Sequence, residues 1–175
     1  MKTRDEPKTT RAGGANGQEE DAFLASLPAS PEELLAWDVA RFEPLYQELL
    51  ARPLTGQDEE RWLRDWSVLS SCVEELGNRI YVATTVDTSD ERAQQRHHEF
   101  METLFPKAQQ WEQALRGKAL QADLHVAGME LPLLKMRTQS ALFREENLAL
   151  IAREQDLVNH YNQLVSRQTV DWEGE

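Results

Sequence analysis

Cysteine is almost missing from this chain of 175 residues: Cys72 stands alone. A single thiol closes no internal disulfide and cannot build a zinc site of several cysteines. Cys72 falls within the apolar spacing of a helix and has no histidine near it in sequence to activate it, so it reads as a small packing residue. Long apolar runs are missing too. No stretch of about 18 apolar residues occurs, and Met1 to Asp5 leads into charged and polar residues instead of a signal core, so the expectation is a soluble cytoplasmic protein.

Positive charge is also scarce. Lys and Arg number 19 against 31 Asp and Glu, a net charge of -12. A field of that sign repels phosphate backbones and anionic headgroups, which argues against nucleic acid and membrane surfaces as partners. The phosphate-cradling Gly-rich loop, Gly-x-Ser-x-Gly and the zinc-protease pattern His-Glu-x-x-His are all absent. Gly (8) and Pro (7) are few and hydrophobic residues make up 40%, so most of the chain should fold, as one domain at this length.

What the sequence does hold is helical periodicity. Residues 1–22, rich in charge, Gly, Pro and Thr, read as a disordered leader. In "LPASPEELLAW", Ser30 can cap a short helix with Pro31 in its first turn and Glu33 completing a capping box. That helix should dock through Leu34, Leu35 and Trp37. Phe42, Leu45, Tyr46, Leu49 and Leu50 make the next apolar face, which Pro53 ends. From Asp58 to about Thr85, Trp62, Trp66, Leu69, Val73, Leu76, Ile80 and Ala83 keep one stripe in register for about six turns. "VDTSD" breaks it, and Ser89 can cap a second long helix whose face is Ala93, His97, Phe100 or Met101, Leu104, Ala108, Trp111 and Leu115. Pro106 predicts a kink within that helix, because the pattern continues in phase past it.

From Lys118 to Leu134 the pattern weakens around Gly128 and Pro132 and predicts two short helical pieces around a bend. A last long helix over 145–167 should bury Leu148, Ile151, Gln155, Val158, Tyr161 and Val165, with Phe143 at its start. The expected fold class is all-α: a long antiparallel helical hairpin with additional packing helices. After it, Gln168 to Trp172 alternates polar and apolar like a β-strand, and no second strand is legible to pair with it.

Candidate chemistry is sparse. His97, His98 and Glu99 are adjacent and point about 100 degrees apart on a helix, so they do not converge on one ion. His98 with Glu102, and Asp156 with His160, sit at i, i+4 spacing and could each offer two ligands, with no third indicated. The acidic pairs Glu59 and Glu60, Glu74 and Glu75, and Glu145 and Glu146 read as solvated helix faces and not as acid/base pairs. Trp62, Trp66 and Trp111 lie on the periodic stripes and read as core. No catalytic, cofactor-binding or metal-ligating residue is assigned.

"WLRDWS" at 62–67, "YVATTVDTSD" at 81–90, and the run "FREENLALIAREQDLVNHYNQLVSRQTVDWEGE" to the end together resemble the N-terminal helical region of the oligoendopeptidase F branch of the M3 zinc metallopeptidases. The likeness covers about residues 35–175. It implies a mostly helical, clam-shaped peptidase in which these helices wall a deep channel over a zinc domain that cuts short peptides. In the family one zinc is held by a His-Glu-x-x-His helix and a later glutamate; none of those positions occurs in this sequence. The resemblance therefore implies a channel or lid domain over 23–175, incomplete at its C-terminus and inactive alone, with the zinc belonging to the full-length family. Its expected partners are the missing catalytic domain or a second copy, and short peptides only within a whole enzyme. The alternative is a stand-alone acidic helical interaction module.

Overall fold

Residues 22–56, 58–122 and 124–169 are described by a computed structural model, and the regular structure among them is helical, with no strand. After a helical turn at 22–25 come α1 (Pro31–Leu35), α2 (Val39–Ala51), α3 (Glu59–Val86), α4 (Glu91–Glu102), α5 (Leu104–Gln121), α6 (Glu130–Leu142) and α7 (Asn147–Ser166). Most of the expected leader, residues 1–21, and most of the expected strand, residues 170–172 of 168–172, lie outside the described residues.

The local signals explain most boundaries. Ser30 Oγ accepts the Glu33 N–H at 3.2 Å, and the Glu33 carboxylate reaches back to accept the Ala29 N–H at 2.8 Å, so α1 closes its capping box one residue ahead of the cap. Asp38 caps α2, which buries Phe42, Tyr46 and Leu49 completely and stops at Ala51, two residues before Pro53. The far end of α2 is held by Lys118, whose Nζ donates to the carbonyls of Leu49 and Leu50 at 2.7 and 2.8 Å, and to that of Arg52. A cation there complements the unpaired carbonyls and the dipole of the helix end.

The 28 residues of α3 span about 42 Å at 1.5 Å per residue. Trp62, Trp66, Leu69, Leu76 and Ile80 are buried on its stripe, and Val73 packs partly against the core. At its end Ala83 is exposed and Thr84 is buried instead. A strict seven-residue repeat slips about 20 degrees per heptad on a straight helix, so after three heptads the next residue has turned into phase.

The second long helix is in fact two. Thr103, at φ -113 and ψ -71, separates α4 from α5, and Pro106 falls in the first turn of α5, where its missing N–H has no helical partner to lose. The kink expected at Pro106 is therefore a break three residues earlier. Asp90, not Ser89, caps α4, accepting the N–H groups of Arg92 at 2.9 Å and Ala93 at 3.3 Å; Ser89 donates to Asp87 instead. The apolar face survives the break, with Ala93, His97, Met101, Leu104, Ala108, Trp111 and Leu115 all buried.

Paired neighbours give the packing directions. Tyr81 lies beside His97, Gly77 beside Phe100 and Ser70 beside Glu112, so α3 runs antiparallel to α4 and α5. The approach is close at Gly77, where a Cβ would stand 3.0 Å from Phe100 Cζ. Ser166 meets Thr88, Asn159 meets Gln94, Asp156 meets His98 and Glu145 meets Gln110, so α7 is antiparallel to α4 and α5 as well. α3 and α7 thus run in the same direction.

In the C-terminal third one expectation is met in outline and one fails. The weak stretch 118–134 is the end of α5, a bend in which Gly128 takes φ +81, and the start of the 13-residue α6, with Pro132 in its first turn. α7 does not bury its expected face. Only Leu148 and Asn159 are buried on it, while Ile151, Val158, Tyr161 and Val165 are exposed and Gln155 is half-buried. Its hydrogen bonds to α4 run through Asn159 and Asp156, and most of the apolar stripe faces outward.

Candidate functional site

The parallel course of α3 and α7 leaves a groove of about 440 Å³ between them, floored by α4 and α5. Val73, Gly77 and Tyr81 form one wall, Ile151 and Gln155 the other, and His97, Phe100, Met101, Phe105 and Ala108 the floor. Three aromatic rings and several aliphatic groups make it mainly apolar, with Glu74, Asn78 and Gln109 along the lining.

His97, expected on the apolar face, is 4% exposed, and its Nδ1 has no hydrogen-bond partner within the described protein. Burial holds its imidazole below the usual histidine range, Asp156 partly offsetting that effect and His98 adding to it. His98 lies between two carboxylates: Nε2 is 3.3 Å from Glu102 and Nδ1 is 3.3 Å from Asp156. The i, i+4 pair His98 and Glu102 is therefore formed, but Asp156 pairs with His98 and not with His160. Since the two carboxylates engage opposite nitrogens of one ring, the three groups do not face a common point. Among the described residues no group of three or more His, Cys, Asp or Glu side chains is arranged to hold a metal ion.

Of the acidic pairs, Glu59 departs from the expected solvated face. It is 9% exposed and accepts the backbone N–H of His125 at 2.9 Å, tying the start of α3 to the bend after α5. Glu75 pairs with Arg79 at 2.5 Å on the surface, and Glu145 accepts from Gln110 at 2.6 Å. Trp62, Trp66 and Trp111 are buried in the core, and half-buried Cys72 packs against it with its thiol pushed up by burial.

Two polar clusters escaped the sequence reading. Glu112 collects Tyr46, Trp66 and Ser70 as donors, and Asp65, 1% exposed, is held by Arg52 at 2.6 Å and Arg64 at 2.9 Å. Asp65 stands one position before Trp66 and off the stripe, so a buried acid there was signalled only by Arg64 just before it and Arg52 just beyond α2.

A large apolar surface is the other feature of the molecule. On α7, Leu150, Leu157 and Leu164 recur every seven residues and are 64%, 61% and 52% exposed. Ile151, Val158 and Val165 form a second exposed column at the same spacing, and Leu131, Leu134 and Leu142 of α6 are exposed as well. Between 129 and 169 the five basic residues equal the five acidic ones, so the part bearing this surface has no net charge in a chain of -12. Among the described residues no helix is long and apolar enough to cross a membrane.

No protein-family model matches this chain, and no curated protein and no solved structure matches it.

Proposed function

We propose that this chain is a helical covering domain of an oligoendopeptidase-like zinc peptidase, walling a channel over a catalytic lobe that supplies the zinc and the hydrolytic chemistry. The observation that carries this reading is the twin column Leu150, Leu157, Leu164 and Ile151, Val158, Val165, which faces water in the chain alone. Contiguous apolar surface of this extent marks a face that another body covers, and the seven-residue repeat suits a helical partner. The sequence resemblance supplies the kind of partner. On this reading the protein works in the cytoplasm, acts on short peptides only together with that lobe, and has no zinc ligand or catalytic residue of its own.

The test mixes the purified chain with the catalytic lobe of an M3-type oligoendopeptidase prepared without its N-terminal helices. The expected result is co-elution of the two and faster cleavage of a quenched fluorescent short peptide than by the lobe alone, with Leu157→Asp abolishing both. Separate elution with unchanged cleavage overturns the proposal.

A second reading, a free-standing acidic interaction module, is favoured by the net charge of -12. It requires a basic partner and salt-sensitive binding; docking through the uncharged face of α7 would be nearly indifferent to salt.

A further inference from the structure

Whatever covers its outer face, α7 is held to the body with little packing. Leu148 and Asn159 are its buried residues, and open clefts flank it, the groove of about 440 Å³ toward α3 and another of about 680 Å³ toward the junction of α4 and α5. Across this gap run polar links spaced along the helix. Glu145 meets Gln110 just before its start, Asp156 meets His98 near its middle, Asn159 meets Gln94 a turn later and Ser166 meets Thr88 at its end. Of these links, only Asp156 with His98 joins two ionisable side chains. A helix with so few buried groups opens locally at low cost, so one link near its middle weighs in its docking.

That link depends on a proton. His98 Nδ1 is 3.3 Å from Asp156 Oδ2, and Nε2 is 3.3 Å from Glu102 Oε2. An imidazolium carries a proton on each nitrogen and serves both carboxylates; a neutral imidazole carries one, and its bare nitrogen turns a lone pair toward a carboxylate oxygen. Losing the charge also removes a cation from an acidic setting. Glu102 of α4, Glu145 and Asp156 line the cleft beside α7, Arg153 is the one basic residue of that lining, and α5 brings no charged side chain to it. His97, on which Asp156 also acts, is kept uncharged near neutrality by burial, and exposed His160 stands one turn past Asp156 on α7. The His98 side chain is 45% exposed, so solvent protons reach it directly. We infer that His98 is a proton-operated latch on α7: charged, it clamps Asp156 to α4, and neutral, it lets the helix that bears the outward stripe loosen. Histidines change charge between about pH 5 and 8, so α7 is held more firmly on the acid side of that interval.

Hydrogen–deuterium exchange of the full chain alone, corrected for the intrinsic pH dependence of amide exchange, reads the latch as the protection of α7 at pH 6 and pH 8. Protection over residues 147–166 should fall about threefold from pH 6 to pH 8, the scale of an exposed ion pair, without a matching fall over residues 62–80 of α3. His98→Gln should show the lower protection at both pH values, and His98→Lys, charged throughout, the higher one at both. Asp156→Asn, as a second variant, should also lose the pH dependence. His97 cannot mimic the effect, because its titration weakens the fold toward acid, the opposite direction. Equal protection of α7 at both pH values in the parent, a fall shared by α3, or a fall that persists in His98→Gln and so belongs to His160 would each overturn the inference. No peptidase lobe enters the experiment, so its failure leaves the proposed function standing.

Discussion

The hydroxyl of Tyr46 on α2 donates to the carboxylate of Glu112 on α5 at 2.9 Å, joining residues 66 apart in sequence. The same carboxylate accepts from Trp66 Nε1 at 2.8 Å and Ser70 Oγ at 2.6 Å, both on α3. One acid thus ties three helices together, with the Tyr46 and Trp111 rings stacked beside it at 4.9 Å. Replacing it by an apolar residue strands three donors, at least two of them on buried side chains. Glu112→Leu should lower the unfolding free energy by about 3 kcal/mol in urea titrations, and Glu112→Gln, which keeps an acceptor oxygen, by less. A Glu112→Leu variant as stable as the parent would mean that the three donors find other partners.

Burial and the neighbouring Glu112 charge raise the Tyr46 phenol far above its ordinary value of 10.0. Below that value the side chain is protonated in both folded and unfolded chains, so it adds no pH dependence there. Above it, the unfolded chain loses a proton that the folded chain retains, and stability falls as pH rises at up to about 1.4 kcal/mol per unit. Denaturation midpoints measured from pH 9 to 11 should drop more steeply for the parent than for Tyr46→Phe. Parallel curves would contradict this.

Asp65 carries its charge in the interior because Arg52 and Arg64 accompany it, and Arg52 also lies 5.2 Å over the Phe23 ring. Removing Arg52 leaves a buried carboxylate with half its compensation. Arg52→Leu should cost about 3 kcal/mol, and adding Asp65→Leu should recover much of that, since a buried pair is often replaceable by apolar groups of similar volume. A double variant as unstable as the sum of the two single ones would show that the loss comes from packing and not from stranded charge.

His97 predicts an acid-side dependence of the opposite sense. Its folded pKa lies below 6.5, so the stability it confers is present above 6.5 and is lost as pH falls through that value toward the folded one, where only the unfolded chain has taken the proton. Asp156 from α7 and His98 from its own helix act on it in opposite directions, Asp156 raising the pKa and His98 lowering it. Thermal melts between pH 7 and 5 should therefore show a component that His97→Phe removes. An unchanged slope in that variant would assign the acid sensitivity elsewhere.

The elements that apolar spacing could reveal were those whose apolar faces are buried. The stripe from Trp62 to Ile80 and the face from Ala93 to Leu115 are both there, because on α3, α4 and α5 the apolar side is the packed side. α7 obeys the same periodicity, yet it hydrogen-bonds to α4 through Asn159 and Asp156 and to the turn before α4 through Ser166, polar residues that no hydrophobic pattern singles out. Thr103 ends α4 where Pro106 suggested only a kink, since a proline marks the helix start as readily as its bend. His97 was legible as an apolar-face histidine, but its unpaired nitrogen was not, because that depends on what α3 and α7 bring to it. Glu112 and Asp65 were hidden for the same reason: their donors come from other helices.

If the outward stripe of α7 is a docking face for a peptidase lobe, backbone hydrogen–deuterium exchange over residues 147–166 will register the docking. With an M3-type catalytic lobe added, the amides of α7 should exchange more slowly, and Leu157→Asp should restore the rate of the chain alone. Unchanged exchange in α7 at a lobe concentration that saturates any binding, or slowing that persists in Leu157→Asp, would contradict the claim.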